Sequence, residues 1–239
     1  MTILLYQTDS YTQSFQAIVS VIDPETHGII LDQTAFYPGG GGQPSDNGWL
    51  QSNLIEIPVL RVKKIEGQVF HIIDPAYPLL QPGSQVIGRI NWELRYQLMR
   101  THTAMHILCG VIFRNYGASV TGGDMDPLKG RMDFEFETMQ KELVNEIENA
   151  VNFEAARSLP VRVAILPRED AFKIPDLIRT KINLLPEGIP FVRVVEIVGL
   201  DLQADGGTHV RNTSEVGRIR IVDNKSKGKI NKRIYIELE

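Results

Sequence analysis

Two short stretches hold the residues best suited to chemistry. In MRTHTAMHIL, His102 and His106 stand four positions apart, and in LQADGGTHV Asp205 and His209 do the same around Gly206, Gly207 and Thr208. Residues at i and i+4 of a helix share a face with Cβ atoms roughly 6 Å apart, so two imidazoles on adjacent turns can converge on one metal ion. A bare H-x-x-x-H also occurs as two core or surface histidines. Three of the chain's five histidines fall in these two pairs. Together they supply three nitrogen donors, and the Asp205 carboxylate supplies an oxygen. Such a set suits zinc at about 2.0–2.2 Å. An exchangeable position there holds water whose pKa falls to about 7, which makes His102, His106 and His209 a candidate catalytic centre. Cys109, one turn beyond His106, is a rival third or fourth ligand, or a small apolar residue under the helix. Thr103 stands where H-E-x-x-H has its glutamate, which argues against that peptidase mechanism.

A second stretch, LDQTAFYPGGGGQPSDNG, spans residues 31–48. Four successive glycines are costly to order, and composition alone reads as a floppy connection. The Tyr-Pro before them and Asn47-Gly48 after them are turn chemistry instead. No Lys-Ser/Thr follows, so a triphosphate loop is not indicated. Gly40, Gly41 and Gly42 lack Cβ atoms and let a bulky partner, such as the end of an RNA strand, come close.

The elements that must position these residues fall into two parts. Through residue 90 the chain reads as β, with FQAIVSVID, HGIILDQTAF, IPVLRVKKI, QVFHIID and SQVIGRI separated by turn residues, which predicts a small β-barrel over 1–90. From Asn91 the pattern is α/β. A long helix closes at Gly117. A second helix has Thr138 as N-cap and Met139, Leu143, Ile147 and Val151 as its apolar stripe. PVRVAILP, FVRVVEIVG, VGRIRIVD and KRIYIELE read as strands, so 91–239 is expected as long helices on an antiparallel sheet, and the whole chain as α+β. His27 and His71 have no companions in sequence and read as surface or strand residues.

With a single cysteine no internal disulfide and no cysteine-rich zinc module is possible. The apolar runs are too short to span a bilayer, and MTILLYQTDSYTQ lacks the regions of a signal peptide, so a cytoplasmic protein without a membrane partner is expected. The net charge of −4 argues against a general nucleic-acid coat protein and leaves room for a local basic patch. Between Arg211 and Arg233 lie Arg218, Arg220, Lys225, Lys227, Lys229 and Lys232, against Glu215 and Asp223 only. These eight cations are candidate RNA contacts, or lysines and arginines that keep a hairpin soluble.

Taken together, LDQTAFYPGGGGQPSDNG, MRTHTAMHIL, LDLQADGGTHVRNTSEVGRIRI and KSKGKINKRIYIEL resemble, in order and along the whole chain, the free-standing alanyl-tRNA editing proteins of AlaX type. Having the barrel as well as the editing domain is similar to the medium-length members. The resemblance implies a zinc-dependent esterase that removes serine, and often glycine, from mischarged tRNA(Ala). It carries over His102, His106 and His209 as ligands. The family's cysteine is replaced by Asp205, and Gly39 stands where an acidic residue is common. The harder carboxylate should hold zinc less tightly or accept harder divalent ions more readily. The resemblance further implies that Thr34 senses the serine hydroxyl and that Gln43 positions water or substrate. The metal or backbone N–H groups near Gly206 and Gly207 would hold the oxyanion, with Thr208 beside them. Two readings stay open beside this one: a metal-free module that binds tRNA or another partner, and a hydrolase of a different small ester or amide. Oligomeric state is not legible.

Overall fold

A computed structural model describes the chain except for residues 1, 137, 181–184 and 186–187. It forms two compact units, Met1–Tyr96 and Gln97–Glu239.

The first unit is a closed barrel. A short strand β1 (Ile3–Leu4) precedes β2 (Ser14–Asp23) and β3 (Gly28–Leu31), and β4 (Gln33–Thr34) pairs in parallel with β1. Then come β5 (Gly48–Ser52), β6 (Ile55–Ile65), β7 (Gln68–Ile73) and β8 (Gln85–Ile90), and the barrel closes in the order β2-β3-β7-β6-β5-β8. The period of two explains the closure. Phe15, Ala17 and Val19 of β2 point inward while Ser14, Gln16 and Ile18 face out, and Leu50, Ile57, Val62, Val69 and Val86 fill the same interior.

The Gly-rich loop is tied down. Gly39, Gly40, Gly41 and Gly42 all have positive φ, from +60° to +132°, so each meets a backbone demand that a side chain would resist. Gly40 and Gln43 exchange backbone hydrogen bonds, and the Tyr37 hydroxyl donates to the Gly40 carbonyl at 2.9 Å. At the base, the buried Arg95 guanidinium binds both carboxylate oxygens of Asp46 and donates to the carbonyls of Ala35 and Ser10, while Tyr37 N–H also donates to Asp46. One arginine thus joins both ends of the loop. The expected tight turn at Asn47-Gly48 is absent: the turn is Gly40–Gln43, and Gly48 is already the first residue of β5.

Helix α1 (Trp92–Tyr116) continues into the second unit, where residues 101–112 are buried without interruption. A helical stretch buried on every side is part of the core, and the helix ends at Gly117 with φ +66°. Next come β9 (Val120–Asp126), β10 (Lys129–Glu135), α2 (Lys141–Ala156), β11 (Val161–Pro167) and the single turn α3 (Arg168–Ala171). After these follow β12 (Phe191–Ile197), β13 (Asp201–Ala204), β14 (Ile219–Ser226) and β15 (Asn231–Leu238). They form two antiparallel sheets, β14-β15-β10-β9 and β11-β12-β13, rather than one.

The second helix departs from expectation. It starts at Lys141, with Gln140 as its N-cap and no side-chain cap, so Thr138 lies outside it. Its buried stripe is Val144, Ile147, Val151, Glu154 and Ala155, and Met139 precedes the helix. The helix face is set by its attachment to the edge strand β14. Asn152 accepts from Ile219 N–H and donates to Ile219 C=O, and Glu148 accepts from Ile221 N–H. These side chains satisfy edge groups that would otherwise lie open. The pair β9–β10 was not expected from sequence, because Gly122, Gly123 and Gly130 with interspersed charges break the apolar alternation.

Candidate metal centre

His102 and His106 project from the same face of α1, and the loop after β13 brings Asp205 and His209 to them. One donor atom from each of the four lies within 4.8 Å of the others. The rings confirm the convergence: His102 stacks on His209 at 4.2 Å between centroids, and both lie edge-on to His106 at 5.1 and 4.7 Å. His102 Nε2 is 3.5 Å from Asp205 Oδ1, and His209 Nε2 is 3.0 Å from Asp205 Oδ2. The set of three imidazoles and a carboxylate at this spacing fits one divalent ion such as zinc.

Around the ligands stands a set of orienting groups. His106 donates from Nδ1 to Asp201 Oδ2 at 3.0 Å, which turns Nε2 toward the cluster. Gln203 donates to the same Asp201 oxygen at 2.6 Å. Asp201 reaches His106 because α1 carries Gly110 one turn further on. A Cβ at Gly110 would meet Leu200 and Asp201 at 2.9–3.0 Å, too close for the helix and the β12–β13 turn to keep their distance. His209 Nδ1 lies 3.2 Å from Thr103 Oγ1, so the residue that replaces the protease glutamate orients the third histidine. Asp205 Oδ2 accepts from Gly207 N–H at 2.7 Å, and Arg193 donates to the Asp205 carbonyl and lies 3.6 Å from its carboxylate.

Burial tunes the donors for metal. It pushes the His209 pKa down to about 4 and His102 well below the usual histidine range, against the pull of Asp205. For His106 burial acts the same way, but the hydrogen bond and charge of Asp201 outweigh it and raise the pKa. Asp205 is held well below the carboxylate range: burial opposes this, and the charge of His102 and the contact with His209 prevail. At neutral pH the carboxylate is charged and at least two imidazoles are neutral, as ligation requires. Cys109 is no rival. Burial raises its thiol pKa well above the usual value, and its sulfur accepts from Gln203 at 3.3 Å outside the ligand cluster. Asp201→Asn should weaken zinc binding 10- to 100-fold, roughly the effect of losing an outer-shell carboxylate, with the fold intact. Titration with zinc checks this, and unchanged affinity would remove Asp201 from the site.

Other expected residues are placed as follows. The N–H of Gly207 is committed to Asp205, while Gly206 is exposed and without a hydrogen-bond partner among the described residues. Thr208 and Gln43 are buried, and Gly40 and Gly41 are exposed. In the barrel, Thr34 Oγ1 lies 2.7 Å from Nε2 of His71, which is fully buried rather than solitary. Of the eight candidate RNA contacts, Lys232 is buried and donates to the carbonyls of Gly228 and Lys229. Arg233 is locked on Asp133, while Lys225 and Arg220 are paired with Asp223 and Glu239. Arg211, Arg218, Lys227 and Lys229 are exposed. No helix among the described residues is long and apolar enough to cross a membrane.

The amino-acid sequence has counterparts among known proteins. Residues 6–94 match the family described as tRNA synthetases class II (A), and residues 192–235 match the threonyl and alanyl tRNA synthetase second additional domain. These matches place the chain in the class of proteins related to alanyl-tRNA synthetase. The chain is 36% identical to the alanine–tRNA ligase of Ignicoccus hospitalis over 92% of its own length and 24% of the ligase. Along nearly its entire length it is 41% identical to the alanyl-tRNA editing protein AlaX-M of Saccharolobus solfataricus, covering 98% of each chain. It is 38% identical to that of Methanosarcina acetivorans, over 100% of this chain and 99% of the relative. The chain belongs to the alanyl-tRNA editing protein AlaX-M family.

Proposed function

We propose that this protein is a trans-editing hydrolase that cleaves the ester joining serine or glycine to mischarged tRNA(Ala). The observation that carries the reading is the buried convergence of His102, His106, Asp205 and His209 in a chain of this family. A zinc or similar divalent ion held by these four supplies Lewis acidity and lowers the pKa of water. The chain's own groups do the rest. Asp201 and Thr103 keep His106 and His209 turned toward the centre, and the Gly206 N–H is offered to the negative charge that develops on the ester carbonyl oxygen. Thr34 reads the hydroxyl of the wrong amino acid, Gln43 holds the Gly40–Gln43 turn that receives the acceptor end, and Arg211, Arg218, Lys227 and Lys229 meet phosphates.

Deacylation assays with seryl-, glycyl- and alanyl-tRNA(Ala) test this directly. Release of serine or glycine with alanyl-tRNA spared is the expected result. RNA binding without any deacylation by zinc-loaded protein would overturn it in favour of a binding module. Cleavage of small esters but none of the three aminoacyl-tRNAs would overturn it in favour of another hydrolase.

A further inference from the structure

The carboxylate that turns His106 toward the metal centre has one oxygen to spare. Asp201 Oδ2 takes the hydrogen bonds of both His106 and Gln203, while Asp201 Oδ1 is buried with no hydrogen-bond partner among the described residues. Facing it is Arg179 Nε, 3.5 Å away. Arg179 Nε and Nη1 are likewise buried and make no hydrogen bond among the described residues. Two unsatisfied groups of opposite charge thus stand against each other just beyond hydrogen-bond length. The Asp201 side chain of this pair is fully buried, and that of Arg179 is 11% exposed. A buried carboxylate is costly unless a cation stands by it. Arg179 is the only arginine or lysine paired with Asp201 among the described residues.

Three contacts keep the guanidinium in place. Its central carbon lies 3.7 Å from the centroid of the Phe113 ring, about two turns beyond His106 on α1, so one face is stacked and the edge is left for Asp201. The backbone is fastened on either side of that stack. Val120 N–H, at the start of β9, donates to the Arg179 carbonyl at 3.0 Å, and Ala204 N–H donates to the Leu177 carbonyl at 3.1 Å. Ala204 immediately precedes Asp205. The segment from Leu177 to Arg179 is therefore tied to both ends of β13, next to the ligand Asp205 at one end and to Asp201 at the other.

We propose that Arg179 is a positioning residue of the metal centre: its guanidinium holds Asp201 in the orientation in which Asp201 holds His106 Nδ1, and so sets metal affinity without touching a ligand. The inference rests on the metal-centre reading above. It extends the chain of orienting groups by one step, from the ligand His106 through Asp201 to a cation stacked on the same helix that carries His106. No motif in the sequence points to Arg179, because it lies outside the regular elements and meets Asp201 only in the packed fold.

The test is a zinc titration of chelator-free wild type, Arg179→Met, Asp201→Asn and the double variant. Arg179→Met keeps an apolar stem against Phe113 and removes the charge. Zinc affinity should fall about 3- to 10-fold, less than the roughly 10- to 100-fold that loss of the outer-shell carboxylate itself costs. In the Asp201→Asn background the same substitution should cost nothing further, since the arginine acts through that carboxylate alone. Nitrogen and proton resonances of zinc-free, ¹⁵N-labelled protein supply a signature that a merely structural arginine would not give. The His106 Nδ1–H resonance should move in Arg179→Met, and the Arg179 Nε–H resonance should move in Asp201→Asn, the latter a readout that needs no Arg179 variant to fold. Wild-type affinity in Arg179→Met, an equal loss in both backgrounds, or an Arg179 Nε–H indifferent to Asp201→Asn would overturn the role of Arg179 and leave the metal centre standing. If wild type itself binds no zinc, the metal-centre reading fails instead.

Discussion

His102→Ala is expected to yield a folded protein that retains no stoichiometric zinc and has lost seryl-tRNA deacylation by well over 100-fold, since removing an outer-shell partner alone costs about 10- to 100-fold. His102 Nε2 faces Asp205 Oδ1 at 3.5 Å, and its ring stacks on His209. Its removal opens a cavity beneath α1, and His102→Asn, closer in shape, should show the same loss with less effect on stability. Metal content of chelator-free protein and the melting transition separate the two effects. Chelation of wild type followed by zinc should abolish and then restore activity, whereas His102→Ala should not respond to zinc. Full metal occupancy in His102→Ala with wild-type rates would sink the assignment.

Half of the four-residue cluster was legible because His102 and His106 share a helix face at i, i+4, a local signal, whereas Asp205 and His209 lie in an irregular loop whose approach to the helix is set by the fold. The groups that orient those ligands were not. Asp201 reaches His106 across 95 residues and only through the absence of a side chain at Gly110, and Arg193 meets Asp205 from the neighbouring strand. Such pairings are properties of the packed fold. Thr103 was noticed for what it was not, a glutamate, and its contact with His209 appears only when the loop closes on the helix. The barrel was readable from alternation, but the order of the Gly-rich loop depends on Arg95, which in sequence is one more charge on a helix. Charge counting also could not tell Lys232, whose ammonium is spent on two turn carbonyls, from Lys229, which stands in water.

The replacement of the family's cysteine by Asp205 should set how tightly the metal is held. A carboxylate oxygen bonds zinc at about 2.1 Å where a thiolate needs about 2.3 Å, and it is the harder donor. The structure holds Asp205 in readiness: Gly207 N–H fixes one oxygen, the other faces His102, and Arg193 stands against the group from behind. Arg193 favours the charged carboxylate but also competes with a metal cation for it. Asp205→Asn keeps the acceptor for Gly207 and removes the charge, so zinc affinity should fall at least about 10-fold while the loop stays in place. Asp205→Ala should lose more, because it also removes the oxygen donor and leaves the Gly207 N–H without its acceptor. Asp205→Cys should go the other way. Beside Arg193 the introduced thiol is biased toward thiolate, the soft ligand returns, and zinc should bind more tightly than in wild type and resist displacement by manganese. Competitive titrations with zinc and manganese across the four proteins give the order Cys, Asp, Asn, Ala for zinc. Identical affinity in Asp205→Ala and wild type, together with a metal-loaded structure whose Asp205 carboxylate is turned away from the ion, would leave a three-histidine centre in which Asp205 serves Arg193 and the loop alone.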